Sequence, residues 1–236
     1  MQNHFISAII VAAGSSARMG QGIDKQMIML GGMPVLAHSI RVFEQCASVD
    51  EIIVVTKGEH IMDVGSMEEE FGFRKLRCVV AGGATRQESV SNGISSCSDK
   101  ADFYIIHDGA RPLVPDHTVN SVIENALIYG AAAAAVPVKD TVKRVSADRK
   151  VEQTVDRSNL YQVQTPQMFS ADTYRMSLKQ AIHMGLDLTD DCQLFERAGH
   201  TVYLCEGDYK NIKITTPEDI AIARALMQWQ DITDEK

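Results

Sequence analysis

The sequence predicts an α/β fold, a doubly wound and mostly parallel sheet from which a β-hairpin arm protrudes. Three observations carry this. Short apolar runs alternate with longer stretches of helical periodicity along most of the 236 residues. The runs are mostly apolar at successive positions rather than at every second one, as in strands covered on both faces. One polar, β-prone excursion, residues 138–163, interrupts the alternation. Repeated βα units of this kind place ligands at the carboxyl ends of the strands.

In chain order, Ile6–Val11, Ile52–Val55, Val79–Val80, Phe103–Ile106 and Ala132–Val136 read as strands. Val35–Cys46 sets Leu36, Ile40 and Phe43 on one helical face, and Thr118–Tyr129 does the same with Val119, Val122, Ile123 and Leu127. Within the excursion, Thr141–Val145 and Val151–Val155 are β-prone, and Ser146–Lys150 supplies the turn of a hairpin. Ser170–Met184 reads as a helix, and Val202–Leu204 and Ile212–Ile214 as further strands. The last helix has a defined start: Thr216 at the cap, Pro217 at the first helical position and Asp219 at capping-box spacing. With no internal repeat and no linker, residues 1–236 read as one domain with 138–163 as its arm.

Composition narrows the function. Hydrophobic residues make up 45%, enough for a buried core. The formal charge of -8 lacks the basic excess of a nucleic-acid binder, yet leaves room for a local positive pocket. Cys46, Cys78, Cys97, Cys192 and Cys205 are odd in number and never in CxxC spacing, so reduced thiols are expected rather than a disulfide framework or a zinc site. The apolar run Ile6 to Ala13 is too short for a bilayer and leads straight into a glycine loop. A cytoplasmic protein with no membrane partner is expected.

The strongest local signal is that loop. Ala12-Ala13-Gly14-Ser15-Ser16 ends a strand in small residues, which let a phosphate approach backbone N–H groups. Arg18 and Lys25 add two positive charges close by. A plain tight turn before a helix also fits the small residues alone. GxxxxGK[ST] is absent, and Ser16 breaks GxGxxG, which disfavours a P-loop NTPase and a nicotinamide dehydrogenase.

Other polar clusters follow strands. Gly82-Gly83-Ala84-Thr85-Arg86-Gln87-Glu88-Ser89 is a second glycine turn, suited to a base or ribose or to ordinary helix initiation. His107-Asp108-Gly109-Ala110-Arg111-Pro112 sets an Asp and an Arg three apart, as a hydroxyl and phosphate pair or as an Asp–Arg structural pair. His107 is as compatible with a packed core histidine as with a catalytic one. Gln164-Thr165-Pro166-Gln167 and Asp156-Arg157 read as loop clusters. In Thr189-Asp190-Asp191 the two carboxylates suit a helix N-terminus better than a metal. Alternation turns Lys213 away from the face of Ile212 and Ile214.

Together these phrases resemble the 2-C-methyl-D-erythritol 4-phosphate cytidylyltransferases of the non-mevalonate isoprenoid pathway. AAGSSARMG, Lys25-Gln26, GGATRQESV, HDGARP, PVKDTVKR, TVDRSNLYQVQTPQ, TDD and NIKITTPEDI stand in family order, from Ala8 to about Ala225. The resemblance implies a Rossmann-like sheet, a homodimer clasped by the arm, and a reaction of CTP with methylerythritol phosphate that needs Mg²⁺. It assigns the triphosphate to Ala12–Ser16, charge stabilisation to Arg18 and Lys25, and cytidine contacts to Gly83, Ala84, Ser89 and Gly109. It assigns the acceptor to Asp108, Arg111, Thr141, Arg157, Thr165, Thr189 and Lys213, with Arg157 and Lys213 also among the catalytic cations. Thr141 and Arg157, on the arm, would serve the partner subunit's site. Mg²⁺ would be held mainly by the phosphates of CTP, so no protein ligand is named. Ser16 stands where the family often has Gly, Ala84 where an acidic residue is common, Met27 where an aromatic is common, and Gly109 for Ala. A ribitol 5-phosphate cytidylyltransferase is the neighbouring alternative; a dinucleotide-binding oxidoreductase and a non-catalytic nucleotide-binding module stand further off.

Overall fold

In the computed structural model, which describes residues 4–20, 24–186 and 188–234, the apolar runs assemble into one seven-stranded sheet. The chain runs β1 (Ile6–Val11), β2 (Met29–Leu30), β3 (Met33–Pro34), α1 (Val35–Gln45), β4 (Glu51–Thr56), α2 (Ile61–Phe71), β5 (Leu76–Ala81), α3 (Arg86–Ser95) and β6 (Phe103–Asp108). It continues α4 (Asp116–Tyr129), β7 (Ala131–Pro137), β8 (Val142–Val145), β9 (Val151–Val155), β10 (Tyr161–Ser170), α5 (Ala171–His183), α6 (Asp191–Arg197), β11 (Tyr203–Glu206) and α7 (Pro217–Asp234). The sheet order is β11-β7-β10-β6-β1-β4-β5. β1 lies parallel to β4 and β6, β4 to β5, and β7 to β11; β10 runs antiparallel between β6 and β7.

Successive strand residues point to opposite faces, and both faces are covered, which is why the strands read as unbroken apolar runs. Ala8, Ile10, Val54 and Ile105 pack with Leu36, Ile40 and Phe43 of α1 and with Val119, Val122 and Ile123 of α4. Their neighbours Ile9, Val55, Tyr104 and Ile106 pack on the other side with Tyr174 and Leu178 of α5 and Phe195 of α6. Each such buried Leu, Ile or Phe contributes roughly 1.5–3 kcal/mol of transfer free energy. The alanine run of β7 has weak intrinsic strand preference; burial between β10, β11 and α4 decides its conformation.

Several expectations are corrected. Ile212–Ile214 is not a strand: the Ile214 N–H donates to the Ala110 carbonyl, while Ile212 N–H is spent locally on Lys210. The in–out alternation survives, with Ile214 buried and Lys213 exposed. β6 continues through His107 and Asp108, and Gln164–Gln167 lies inside β10 at a register shift, not in a loop. Polar residues at strand ends imitate loops in a sequence because they face a cavity rather than the core. α4 turns Ala126 inward and leaves Leu127 40% exposed. α2 and α6 are additional. Asp190 caps α6, its Oδ1 accepting from Gln193 N–H at 2.9 Å, so the Asp190-Asp191 pair does stand at a helix N-terminus. At α7 the cap comes from Asp219, whose Oδ2 accepts from the backbone N–H groups of Thr215 and Thr216.

The arm leaves the sheet after β7 and returns into β10. β8 and β9 pair antiparallel from Val142↔Val155 to Val145↔Val151, and Val145 and Val151 stay exposed. Tyr209 pins its root: the hydroxyl donates to the Pro137 carbonyl at 2.7 Å, and Lys139 Nζ lies 3.2 Å from the ring centroid. No helix among the described residues is long and apolar enough to cross a membrane.

Candidate active site

The carboxyl ends of β1, β5 and β6 meet over two adjoining cavities. The first, about 320 Å³, is lined by Ala13, Gly14 and Ser15 of the first loop, Gly83, Ala84 and Ser89 of the second, and Lys25, Asp108 and Lys213. The two glycine loops touch: a Cβ on Gly82 would lie 2.3 Å from that of Ala13, and one on Gly83 would lie 2.3 Å from that of Glu88. The close approach of the loops therefore requires Gly82, and the tight entry into α3 requires Gly83. Thr85 caps α3 by accepting from Glu88 N–H at 3.1 Å, and Glu88 returns a bond to Ala84 N–H at 2.7 Å. Ser89 holds the loop from within, accepting from Gly83 N–H and donating to the Thr85 carbonyl.

Ala12 and Gly109 lie one layer beneath the wall. Ala12 N–H donates to the Val55 carbonyl, and Gly109 N–H to that of Val11, with Ala110 taking the place at the surface. Ser16 adopts a left-handed conformation, φ 53°, and its Oγ is buried without a partner among the described residues. That φ is the reason glycine suits this position. Arg18 is exposed on the single turn Ala17–Met19. Lys25 is carried by a turn that Asp24 pins: Oδ1 accepts from Gln26 N–H, and Oδ2 meets Lys57 at 2.7 Å and His60 at 3.2 Å. Burial, then the like charges of Lys213 and Arg18, push the Lys25 ammonium below the ordinary lysine value against the pull of Asp108 and Asp24.

The second cavity, about 180 Å³, is lined by Arg86, Asp108, Arg111, Thr165, Thr189 and Lys213 among others. Arg86, Asp108 and Lys213 belong to both walls. Asp108 Oδ2 lies 2.9 Å from Lys213 Nζ and 3.4 Å from Arg111 Nε. Burial alone would raise the Asp108 carboxyl; Lys213, Arg111 and Arg86 outweigh it and hold it well below the usual carboxylate range. Arg111 also donates to the Asn211 carbonyl at 2.7 Å. Asn211, fully buried, ties this segment to β10 through Gln164 Oε1 and the Thr165 carbonyl.

Behind Asp108 runs a directed chain. Asp108 N–H donates to Thr165 Oγ at 3.0 Å, and the Thr165 hydroxyl faces His107 Nδ1 at 3.1 Å. His107 Nε2 lies 3.1 Å from the Arg111 carbonyl, which can only accept, so Nε2 carries the proton and Nδ1 accepts from Thr165. Burial presses the imidazole to a pKa of about 4, against the Arg111 carbonyl and Asp108, which favour its charged form. His107 is thus a neutral core histidine. Thr189 is fixed by Gln193 Oε1, which accepts from its N–H at 3.0 Å.

Thr141 and Arg157 are exposed on the arm and line neither cavity; Arg157 donates to the Lys139 carbonyl. Sequence reasoning assigned no site role to Arg86 or Asn211, and read Asp191 as part of a helix N-terminal pair without its partner Arg86. Their signal is burial of polar groups, which residue spacing does not carry. Among the described residues no three or more His, Cys, Asp and Glu side chains converge as a metal cluster. All five cysteines are free.

Comparisons with known proteins give the family. The sequence model of the family IspD, 2-C-methyl-D-erythritol 4-phosphate cytidylyltransferase, matches residues 6–229. A 2-C-methyl-D-erythritol 4-phosphate cytidylyltransferase of Alkaliphilus metalliredigens is 42% identical over 223 residues, 94% of this chain and 92% of the relative. One of Dehalococcoides mccartyi is 42% identical over 96% of this chain and 97% of its own. Among solved structures, a 4-diphosphocytidyl-2C-methyl-D-erythritol synthase of Anaerococcus prevotii superposes with a TM-score of 0.86 at 32% identity, covering 96% of this chain and all of that one. The chain belongs to the 2-C-methyl-D-erythritol 4-phosphate cytidylyltransferase family, and its enzyme class is that of the nucleotidyltransferases.

Proposed function

We infer that the protein joins CTP to 2-C-methyl-D-erythritol 4-phosphate and releases pyrophosphate. The observation that carries this is the shared wall: a cavity under two glycine loops and Lys25 borders a cavity with a carboxylate and an Arg fork, and Arg86, Asp108 and Lys213 line both.

A phosphate oxygen of the acceptor attacks the α-phosphorus of CTP. A new P–O bond forms, the bond to the β-phosphate breaks, and its electron pair leaves with pyrophosphate. The nucleophile is already anionic, so no general base is required. The barrier is the approach of two anions, and catalysis is orientation plus charge neutralisation by Arg18, Lys25 and Lys213. Backbone N–H groups of residues 13–16 hold the triphosphate, over Ala12, whose own N–H is spent on the Val55 carbonyl. Gly83, Ala84 and Ser89 face the cytidine, with Gly109 supporting the wall. Asp108 accepts from acceptor hydroxyls, and Arg111, Thr165 and Thr189 orient the rest.

Mg²⁺ fits this site as a companion of the triphosphate, because the one carboxylate on the nucleotide wall among the described residues, Asp108, is already engaged by Lys213 and Arg111. When bound, it neutralises phosphate charge. We read the chain as a single domain whose arm, 138–163, clasps a second copy and lends Thr141 and Arg157 to the partner's acceptor cavity. Their exposure, and that of Val145 and Val151, supports this, since a lone two-stranded hairpin is marginal in water. We place the enzyme in the cytoplasm, with its nucleotide supply.

Pyrophosphate release with CTP and each alcohol phosphate tests the reading. Methylerythritol phosphate is expected to support turnover with kcat/KM about a hundredfold or more above ribitol 5-phosphate. A preference for ribitol phosphate, or no release with either, overturns it.

A further inference from the structure

Arg86 and Asp191 open two different helices, α3 and α6, and meet at the boundary of the two cavities. Arg86 Nη2 donates to Asp191 Oδ2 at 2.6 Å. The Tyr174 hydroxyl donates to the other oxygen, Oδ1, also at 2.6 Å. Both carboxylate oxygens are therefore engaged, and Asp191 and Tyr174 are 4% and 1% exposed. The Arg86 side chain keeps 27% of its surface, and it lines both cavities. A guanidinium carries five N–H donors in a rigid fork, so the bond to Asp191 fixes its plane and leaves donors for a ligand. Lys25 lines only the first cavity and Arg111 only the second, whereas Arg86 and Lys213 stand where the two substrates must meet. Keeping a buried ion pair costs desolvation that an apolar pair would avoid. That cost is understandable at a wall that two anions approach from opposite sides.

We propose that Arg86 is an anion-binding residue of the transfer step, contacting phosphate oxygens of both substrates where they meet, and that Asp191 and Tyr174 are positioning residues that hold its fork across the wall. The inference rests on the reading of the cavities as nucleotide and acceptor sites. Arg86→Lys keeps the charge and removes the fork. The double variant Arg86→Met with Asp191→Asn removes both charges and leaves Tyr174 an acceptor, so no lone buried charge remains.

Wild-type turnover with CTP and methylerythritol phosphate is measured first; its absence sinks the cavity assignment rather than the role of Arg86. With wild type active, thermal melting and steady-state kinetics with each substrate varied are compared across the variants. Both variants are expected to melt close to wild type. KM should rise for both substrates, and kcat should fall about tenfold in Arg86→Lys and about a hundredfold in the double variant. Unchanged kinetics in a folded variant, or a rise in KM for one substrate alone, overturns the proposal. If the double variant fails to fold, Arg86→Lys decides by the same two criteria.

Discussion

Lys213 Nζ stands 2.9 Å from Asp108 Oδ2, joining the end of β6 to the segment that follows β11. Asp108→Asn keeps the shape and leaves Lys213 and Arg111 without their counter-charge. The acceptor KM should rise, or kcat fall, by about tenfold or more, with CTP affinity changed much less. Calorimetry with CTP and steady-state assays separate these. Equal loss of CTP affinity would assign Asp108 to the nucleotide.

Lys25→Ala should lower kcat by about a hundredfold or more while CTP affinity falls less, since the charge counts most in the transition state. A variant with near-normal kcat removes Lys25 from the mechanism. The ammonium is lowered by burial, Lys213 and Arg18, so it loses its proton at a lower pH than an exposed lysine. The alkaline limb of kcat/KM should therefore begin early, and Arg18→Met should move it to higher pH.

Ser16→Gly replaces a left-handed serine and removes its buried, unpartnered hydroxyl. Stability should increase by about 1 kcal/mol with turnover retained, read from chemical denaturation. A loss of CTP binding would show instead that the hydroxyl serves the phosphate.

His107 links folding to acidity. Its folded pKa of about 4 lies below the unfolded value of about 6.5, so below 6.5 the unfolded chain binds the extra proton first. Stability from this group is whole above pH 6.5 and is lost as pH falls toward 4, to at most about 3 kcal/mol. Denaturation midpoints across that range check it. His107→Gln should flatten this part of the profile while lowering stability at neutral pH; an unflattened slope refutes the assignment.

Light scattering at assay concentration should find a dimer. Arg157→Ala should leave that dimer intact and lower acceptor use about tenfold or more, because Arg157 lines neither site cavity of its own chain. An active monomer would refute the shared site.

The sequence alone determined the alternation of strands and helices, the excursion that became the arm, and the order of the glycine loops and charged clusters. These depend on neighbours within a few residues, where periodicity and turn chemistry act. It misplaced His107, Asp108 and Gln164–Gln167 as loop, because strand residues that face a cavity are polar for the same reason that loop residues are. Tertiary structure decided the rest. Asp108 meets Lys213, and Arg86 meets Asp191, only because the sheet order sets β6 beside β10 and carries α3 and α6 to one boundary. The neutral state of His107 follows from burial, and the low pKa of Asp108 from Lys213 and Arg86, distant in the chain, acting with the nearby Arg111 against burial; the spacing along the sequence shows only the Arg111 part.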